Sequence, residues 1–325
     1  MDGYGHVKNY ARMIEEVLLT GQMPPWHADP AHGRWANDRS LSAEETQTLL
    51  HWIADGAPRG EGADPLALPA PPLPDWSLGK PDFIVALPKA EEIPANGVLD
   101  YRHIQVDLPL TNDIWLAGLE VKPGNRRVVH HVIVRAKWEN GPDDGSGHGV
   151  MLTGWAPGLV NARFAPGTGK HVPRGSQIDL ELHYTTTGSP QTDLTQIAFY
   201  LSPERPAREL TTRAAIQTNL NLPPGADESR DVAIYGFEHP ATIFSFMPHM
   251  HLRGSWMRYE LLLPTGKQET VLNVPRYDFN WQTSYQLAEP LHVPAGTWLV
   301  ATGGFDNSSA NPYRVRPKAR LSYRR

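Results

Sequence analysis

Histidine residues are the side chains of this sequence whose spacing best suits chemistry. Two of them, His249 and His251, lie one residue apart in the apolar and aromatic segment FSFMPHMHLRG (residues 244–254). In a β-strand, side chains at positions i and i+2 project from the same face, whereas in a helix the same pair lies roughly 200° apart. If the segment is a strand, the two imidazoles converge on one ligand. The alternative is a strand end that carries two solvated histidines.

A second strand-like segment, RVVHHVIV (residues 127–134), contains the adjacent His130 and His131. Neighbouring side chains of a regular strand face opposite ways, so both histidines can bind one ion only if the strand is twisted or bulged. Otherwise one of the two is simply a buried residue.

A third segment, IDLELHYT (residues 178–185), alternates apolar and polar residues. Ile178, Leu180 and Leu182 form the predicted core face, which places Asp179, Glu181 and His183 on the other face. Taken alone, His183 fits a surface or hydrogen-bonded histidine better than a metal ligand.

The chain has no cysteine and 14 histidines. It can therefore form no disulfide, no thiolate metal site and no covalently attached c-type haem. A metal must be held by histidine, methionine, aspartate or glutamate. Imidazole binds both copper and zinc, so zinc is an alternative at any site made only of histidines.

Charge and hydropathy limit the classes of partner. The net charge is −5, with acidic and basic residues interspersed, which argues against nucleic acid or an anionic membrane surface as the main partner. No apolar run approaches the ~20 residues that a membrane-spanning helix needs. The first residues, MDGYGHVKNYARM, have the pattern of neither a signal peptide nor a transit peptide.

The 325 residues are enough for two or three domains, and the 31 prolines and 28 glycines separate many short apolar runs. This texture predicts a mainly β protein with two β-sandwich blocks, at residues 83–203 and 204–325. Residues 65–82, with six prolines, read as an extended linker or strap.

Only the first 64 residues have helical patterns. GHVKNYARMIEEVLLTG (residues 5–21) has apolar residues at helical spacing and predicts a helix that stops at Gly21. SLSAEETQTLLHWIADGAP (residues 40–58) predicts a second helix, which opens with a capping box at Ser42 and Glu45.

The order of four motifs resembles that of a known enzyme family. The His-His pair is followed by LELHYT, PHMHLRG and DNSSANP. This order is similar to that of the copper type II, ascorbate-dependent monooxygenases, which include peptidylglycine α-hydroxylating and dopamine β-monooxygenases, and in particular to that of their bacterial relatives. The resemblance covers residues 83–325.

The resemblance implies two jelly-roll-like β-sandwich domains that each carry one copper ion. His130, His131 and His183 match the ligands of an electron-storing copper. His249 and His251 match two ligands of the oxygen-binding copper, whose third ligand in the family is methionine. The implied activity is hydroxylation of a C–H bond of a small substrate by O₂ and a one-electron reductant such as ascorbate.

The methionine position departs from the family. There the methionine lies in a Glu-Met pair beyond the Asn-Pro motif, whereas this chain has no methionine after Met257. Met247 and Met257 are possible substitutes, and Met250 would point away from the histidines in a strand. We expect the third ligand to be missing, through truncation or an altered C-terminus, and the His249/His251 site to be the weaker one. Met247 also stands where peptidylglycine enzymes carry a substrate-binding arginine, so a peptidylglycine substrate is not expected.

The N-terminal segment carries a separate resemblance. Residues 23–60 look like the second half of the cytochrome c-like domain that bacterial relatives place before the monooxygenase, and Met23 matches its axial methionine. We therefore interpret residues 1–64 as a partial cytochrome c-like segment. The haem-attaching Cys-x-x-Cys-His would lie upstream, so we expect no haem here and Met23 to be a relic or an ordinary core residue. The family implies a periplasmic or extracellular location, for which the N-terminus offers no direct support.

Three functions follow from these residues. The leading hypothesis is a copper-dependent monooxygenase that acts on a small molecule. The second is a non-catalytic copper-binding or electron-transfer protein, which the missing methionine favours. The third is a β-sandwich binding module whose histidines are structural. The residues name no substrate, electron donor or oligomeric state.

Overall fold

The computed structural model describes residues 3–63, 74–144, 146–157, 159, 163–217, 219–311 and 321–322. Residues 65–73 of the predicted Pro-rich linker lie outside these ranges. The fold is mainly β, as the composition predicts, with antiparallel sheets and three short helices in the described part of the chain.

The helices lie in the first 64 residues: α1 (Tyr4–Asn9), α2 (Ala11–Leu19) and α3 (Ala43–Ala54). The first predicted helix is thus two helices divided at Tyr10. The capping box is confirmed, because Glu45 N donates to Ser42 Oγ over 3.1 Å and Ser42 N donates to Glu45 Oε2 over 2.8 Å. These paired bonds satisfy backbone donors that the first turn of a helix leaves open.

The first β block has eleven strands among the described residues: β1 (Phe83–Ala86), β2 (Glu91–Ile93), β3 (Arg102–Asp107), β4 (Ile114–Lys122), β5 (Val129–Lys137), β6 (Val150–Trp155), β7 (Thr168–Val172), β8 (Gln177–Tyr184), β9 (Gln191–Asp193), β10 (Gln196–Leu201) and β11 (Arg208–Glu209). They form a sheet in the order β1-β10-β4-β7-β11, a sheet in the order β3-β8-β5-β6, and the pair β2-β9. When the eight main strands are numbered along the chain, the two larger sheets read 1-8-3-6 and 2-7-4-5. This is the strand order of a jelly roll.

The apolar faces of these two sheets form the first core. Leu116 from one sheet and Val132 and Leu180 from the other are fully buried. As predicted, Ile178, Leu180 and Leu182 form the core face of β8, which leaves His183 on the opposite face.

The second block contains β12 (Asn221–Leu222), β13 (Ser229–Phe237), β14 (Ala241–Phe246), β15 (Gly254–Leu262), β16 (Gln268–Val274), β17 (Tyr285–Val293), β18 (Thr297–Phe305) and β19 (Leu321–Ser322). Its sheets are β13-β18-β15-β16, β14-β17 and β12-β19. In the jelly-roll numbering, β13 to β18 occupy positions 1, 2, 3, 6, 7 and 8. Within its described residues, this block therefore repeats the first order without the two strands at positions 4 and 5.

Strand pairing of the first block continues past residue 203, where the sequence places the boundary between the blocks. Arg208 and Glu209 of β11 pair in parallel with Thr168 and Gly169 of β7. The division at 203/204 itself stays a prediction.

The loop between α2 and α3 packs against the second block. Asp29 N donates to Asn273 O, and Ala36 N donates to Gln286 O, each over 2.8 Å. The indole of Trp35 lies 5.4 Å from the ring of Tyr285 and closes one side of the second core. The N-terminal segment thereby supports the start of β17 and the connection that precedes it.

The segment FSFMPHMHLRG, which carries the opening histidine pair, is a strand only as far as Phe246, so the condition that it be a strand is not met at the histidines. β14 ends at Phe246, and His249 and His251 lie in the connection to β15. Pro248 has no N–H to donate to a ladder, which favours the end of pairing here.

None of the helices in the described residues has the length and apolar character that crossing a membrane requires.

Replacing Trp35 with alanine tests the support that the N-terminal loop gives to the second block. Trp35 is 9 % exposed and Trp298 is 47 % exposed. We expect Trp35→Ala to lower the free energy of unfolding by about 3–5 kcal/mol, as buried aromatic truncations do, and Trp298→Ala to lower it much less. Chemical denaturation measures both, and equal losses would contradict the packing described.

Candidate metal centre

A β-bulge allows the adjacent His130 and His131 to face the same side. In the antiparallel pair β5/β8, Val129 lies opposite Tyr184 and His131 lies opposite His183, so the register shifts between Val129 and His131. His130 is the extra residue of this bulge. The bulge breaks the strict alternation of faces, which is the condition that the sequence sets for both histidines to reach one ion.

The three imidazoles of the first block surround a common point. Their ring centres are 5.3 Å apart for His130 and His131, 5.1 Å for His130 and His183, and 5.0 Å for His131 and His183. Imidazoles bound through nitrogen to one tetrahedral ion at about 2.0 Å place their ring centres roughly 5.1 Å apart. The ring arrangement therefore suits a single ion, and one nitrogen of each ring lies within 4.8 Å of the others.

One hydrogen bond and one unpartnered atom describe the nitrogens of these rings. His130 Nδ1 and His131 Nδ1 are 3.1 Å apart, and His183 Nδ1 is buried without a hydrogen-bond partner among the described residues. A hydrogen bond between His130 and His131 leaves His183 Nδ1 unsatisfied, whereas an ion shared by the three rings would satisfy it.

The second pair of histidines converges although it is not in a strand. The rings of His249 and His251 are 5.2 Å apart and nearly perpendicular. His249 Nδ1 lies 2.9 Å from Gln282 Oε1, an oxygen that can only accept. His249 therefore donates from Nδ1, and its Nε2 keeps a lone pair for a ligand. A hydrogen bond from the other ring nitrogen in this way orients metal-bound histidines.

Contacts across the two blocks join the histidine sets. The rings of His131 and His249 are 6.3 Å apart, and Phe279 of the second block stacks on His130 at 4.7 Å. All five histidines of the predicted site thus lie in one continuous group, which is called the five-histidine centre below.

The electrostatics of this centre favour neutral imidazoles. Burial, followed by the neighbouring His183 and His249, lowers the pKa of His131 to about 2 and that of His130 to about 4. Burial and His249 lower the pKa of His251 to about 4. Burial also lowers the pKa of His183. Neutral imidazole is the form that binds a metal, so the centre does not need to release protons at pH 7.

His249 is the one exposed residue among the five histidines. Desolvation by the surrounding protein nevertheless lowers its pKa, against the opposing effects of the Gln282 hydrogen bond and of Glu181. The exposure of His249 gives small molecules access to the centre.

Two of the methionines near the pair are engaged elsewhere. Met250 is 5 % exposed and lies in the second core, where its backbone N–H and C=O both bond to the Tyr277 hydroxyl. Met257 lies on β15 and packs against the same core. The backbone of Met250 is not in a strand, so the alternation on which its expected direction depends does not apply. Met247 is half-buried, with its C=O bonded to the Tyr259 hydroxyl.

Met23, the residue matched to a haem ligand, is 42 % exposed. It is therefore not an ordinary core residue, and that alternative is wrong.

The residues that support the histidines have no signature in the sequence. Gln282, which is 2 % exposed, and Phe279 lie in the connection between β16 and β17. Tyr101 stacks on His183 with ring centres 4.6 Å apart. Aromatic and amide residues in loops carry no periodic signal, so only the fold reveals their place.

Comparisons with known proteins do not assign the chain. No protein-family model matches it, and no curated protein matches it. Among solved structures it is similar to a xanthan lyase from Paenibacillus at 11 % identity and a TM-score of 0.16, over 75 % of this chain and 27 % of the lyase. The chain spans about a quarter of that protein, and the likeness is too low to carry an argument.

The Gln282 hydrogen bond predicts a selective effect on metal affinity. Gln282→Leu removes the acceptor that orients His249, so we expect the affinity of the His249/His251 pair for Cu²⁺ to fall about 10–100-fold. Gln282→Glu keeps an acceptor for His249, so its affinity for Cu²⁺ should fall much less. Competition titration against a chelator measures both variants, and an unchanged affinity in Gln282→Leu would contradict the proposed orientation.

The lowered pKa values predict the pH dependence of stability in metal-free protein. Because the folded-state pKa values lie below the unfolded value near 6.5, the unfolded chain binds more protons between about pH 6.5 and 4. The free energy of unfolding should therefore fall as the pH drops from 7 to 5. Denaturation experiments in the presence of a chelator should show that the free energy of unfolding falls less in His131→Gln than in the parent protein over the same pH range.

The exposed His239 gives the control for that measurement. His239→Gln should keep the pH dependence of the parent protein, and an identical dependence in His131→Gln would refute the role of the buried ring.

Proposed function

We propose that this protein is a copper-dependent monooxygenase that hydroxylates a C–H bond of a small molecule with O₂ and a one-electron reductant such as ascorbate. The observation that carries the proposal is the convergence of five imidazoles, three of them around one point, on the bulged strand β5, on β8 and on the connection that follows β14.

The residues fit copper by their chemistry. The donors are neutral imidazole nitrogens, which suit both Cu(I) and Cu(II). The buried and unpartnered His183 Nδ1 is the clearest sign of a ligand position, since an orphaned buried polar atom is otherwise costly. His130, His131 and His183 would hold one ion and His249 with His251 a second. Copper held there would supply one-electron redox chemistry and an open position for O₂.

The chain's own residues have separate tasks in this proposal. Gln282 fixes the tautomer of His249, and Phe279 covers one face of His130 from solvent. Because His249 is the exposed histidine of the five, O₂ and substrate would approach from its side of the centre. The motif order that resembles the copper type II monooxygenases supports the same assignment, and a periplasmic or extracellular setting belongs to it.

A second candidate is a copper protein that stores or transfers electrons without hydroxylating a substrate. The packing of Met250 and Met257 in the second core favours it, because core contacts engage two side chains that could replace the thioether that the resemblance implies. Without that ligand, the His249/His251 pair favours Cu(I) less strongly.

Copper loading with matched histidine variants tests the proposal. We expect up to two copper ions per chain in the parent protein, loss of the tighter ion in His183→Ala and loss of the looser ion in His251→Ala. His292→Ala, at an exposed histidine of β17 that bonds to Thr242, should retain both. Elemental analysis that finds less than half an ion per parent chain, or equal loss in His292→Ala, would overturn the proposal.

Oxygen consumption separates the two candidates. The monooxygenase proposal predicts O₂ uptake that depends on ascorbate and copper and disappears in His183→Ala and His251→Ala. Stoichiometric copper that ascorbate reduces without O₂ uptake would instead favour the electron-transfer protein. Tight binding of zinc in place of copper, with no redox response, would contradict both.

A further inference from the structure

We infer that His103, His148 and Asp179 form a second metal site, for a divalent transition ion such as Zn²⁺, separate from the five-histidine centre. His103 lies on β3, Asp179 lies on β8 and His148 lies in the loop before β6. The inference does not depend on the proposed copper chemistry.

The ligand atoms of these three residues already lie close together, near the spacing that one ion requires. His103 Nδ1 is 2.9 Å from Asp179 Oδ1, and His148 Nδ1 is 3.3 Å from Asp179 Oδ2. Two ligands about 2.0–2.1 Å from one ion lie roughly 2.9 Å apart in octahedral geometry and roughly 3.3 Å apart in tetrahedral geometry. All three residues offer a ligand atom within 4.8 Å of the others.

The carboxylate of Asp179 needs a compensating charge. Its side chain is 1 % exposed, and its partners among the described residues are the two imidazoles. The nearby guanidinium of Arg135 bonds instead to Asp144 and Glu181. A carboxylate removed from water is costly unless a cation or several donors balance it, and a divalent ion supplies that balance.

The loop that carries His148 is built to hold this residue in place. Asp143 accepts hydrogen bonds from Gly147 N over 2.9 Å and from Gly149 N over 2.8 Å. Gly149 has φ +104°, and a Cβ there would lie 2.2 Å from Ala136 O, so only glycine lets the loop approach β5 this closely. β6 begins directly after this turn, and His148, just before it, lies with its Nδ1 3.3 Å from Asp179 Oδ2.

Binding of the ion requires a ring rotation. The imidazoles of His103 and His148 stack 3.9 Å apart with planes inclined by 12°, whereas a bound ion lies in the plane of each ligand ring. Their side chains are 32 % and 34 % exposed, so either ring can turn about its Cβ–Cγ bond without displacing the core. Once bound, the ion would tie the edge strand β3 and the loop of His148 to β8.

The site lies apart from the five-histidine centre. Asp179 and His183 are four residues apart on the same face of β8, which corresponds to about 13 Å along the strand. The two sites can therefore be removed independently.

Zn²⁺ stoichiometry and affinity in the full chain test the inference. We expect Asp179→Asn and His148→Ala each to lower the Zn²⁺ affinity of one site at least tenfold. That site should then lose its ion on dialysis. Asp113→Asn is the matched control, because Asp113 forms a similar but exposed pair with His171, and it should retain the parent stoichiometry. His148→Ala lies in a surface loop, so its result stands even if Asp179→Asn unfolds.

Co²⁺ gives a second readout, since its visible absorption reports the ligands. The difference spectrum between parent and His148→Ala should show a site with nitrogen and oxygen ligands that persists in His183→Ala. Retention of the parent Zn²⁺ stoichiometry and affinity by His148→Ala would overturn the inference. In the double variant His148→Ala/His183→Ala, the losses of bound metal should add, because the two sites are independent. The result for His148→Ala therefore stands whether or not the copper proposal fails.

Discussion

The β-bulge at His130 is the constraint on which the proposed chemistry depends. A regular strand would send His130 and His131 to opposite faces, one into the first core and one toward the second block. The extra residue places both imidazoles on the side of His183, where β5 and β8 pair. The jelly roll holds this bulge rigidly, because Val132 and Leu182, which pair directly beside it, are fully buried. A local irregularity is thereby fixed by the packing of a whole sheet.

The second block completes the centre from the other side. Its connection between β14 and β15 brings His249 within 6.3 Å of His131, and its connection between β16 and β17 brings Gln282 and Phe279. The N-terminal loop braces the same region through Asn37, which donates to Ser284 O, and through Trp35, which packs on Tyr285. A segment without a ligand in the centre therefore still influences it, because it fixes where β17 begins.

Strict periodicity predicts local structure well: the alternation in IDLELHYT predicts the core face of β8, and the Ser42/Glu45 spacing predicts the cap of α3. Local patterns predict less where a tertiary contact decides. The apolar segment FSFMPHMHLRG resembles a strand, but β14 ends at Phe246, before Pro248. No local pattern predicts the positions of Gln282 and Tyr101 or the pairing of His103 with Asp179, because each depends on residues distant in sequence.

The central claim is that the two histidine sets hold copper as one continuous centre and not as two isolated sites. Electron paramagnetic resonance of protein loaded with two equivalents of Cu(II) tests this most directly, because neighbouring copper spins interact and distant ones do not. The account predicts a half-field transition from coupled copper spins, which disappears in His251→Ala. Spectra of only isolated copper ions at full loading, with nitrogen hyperfine structure unchanged by His131→Gln, would contradict it.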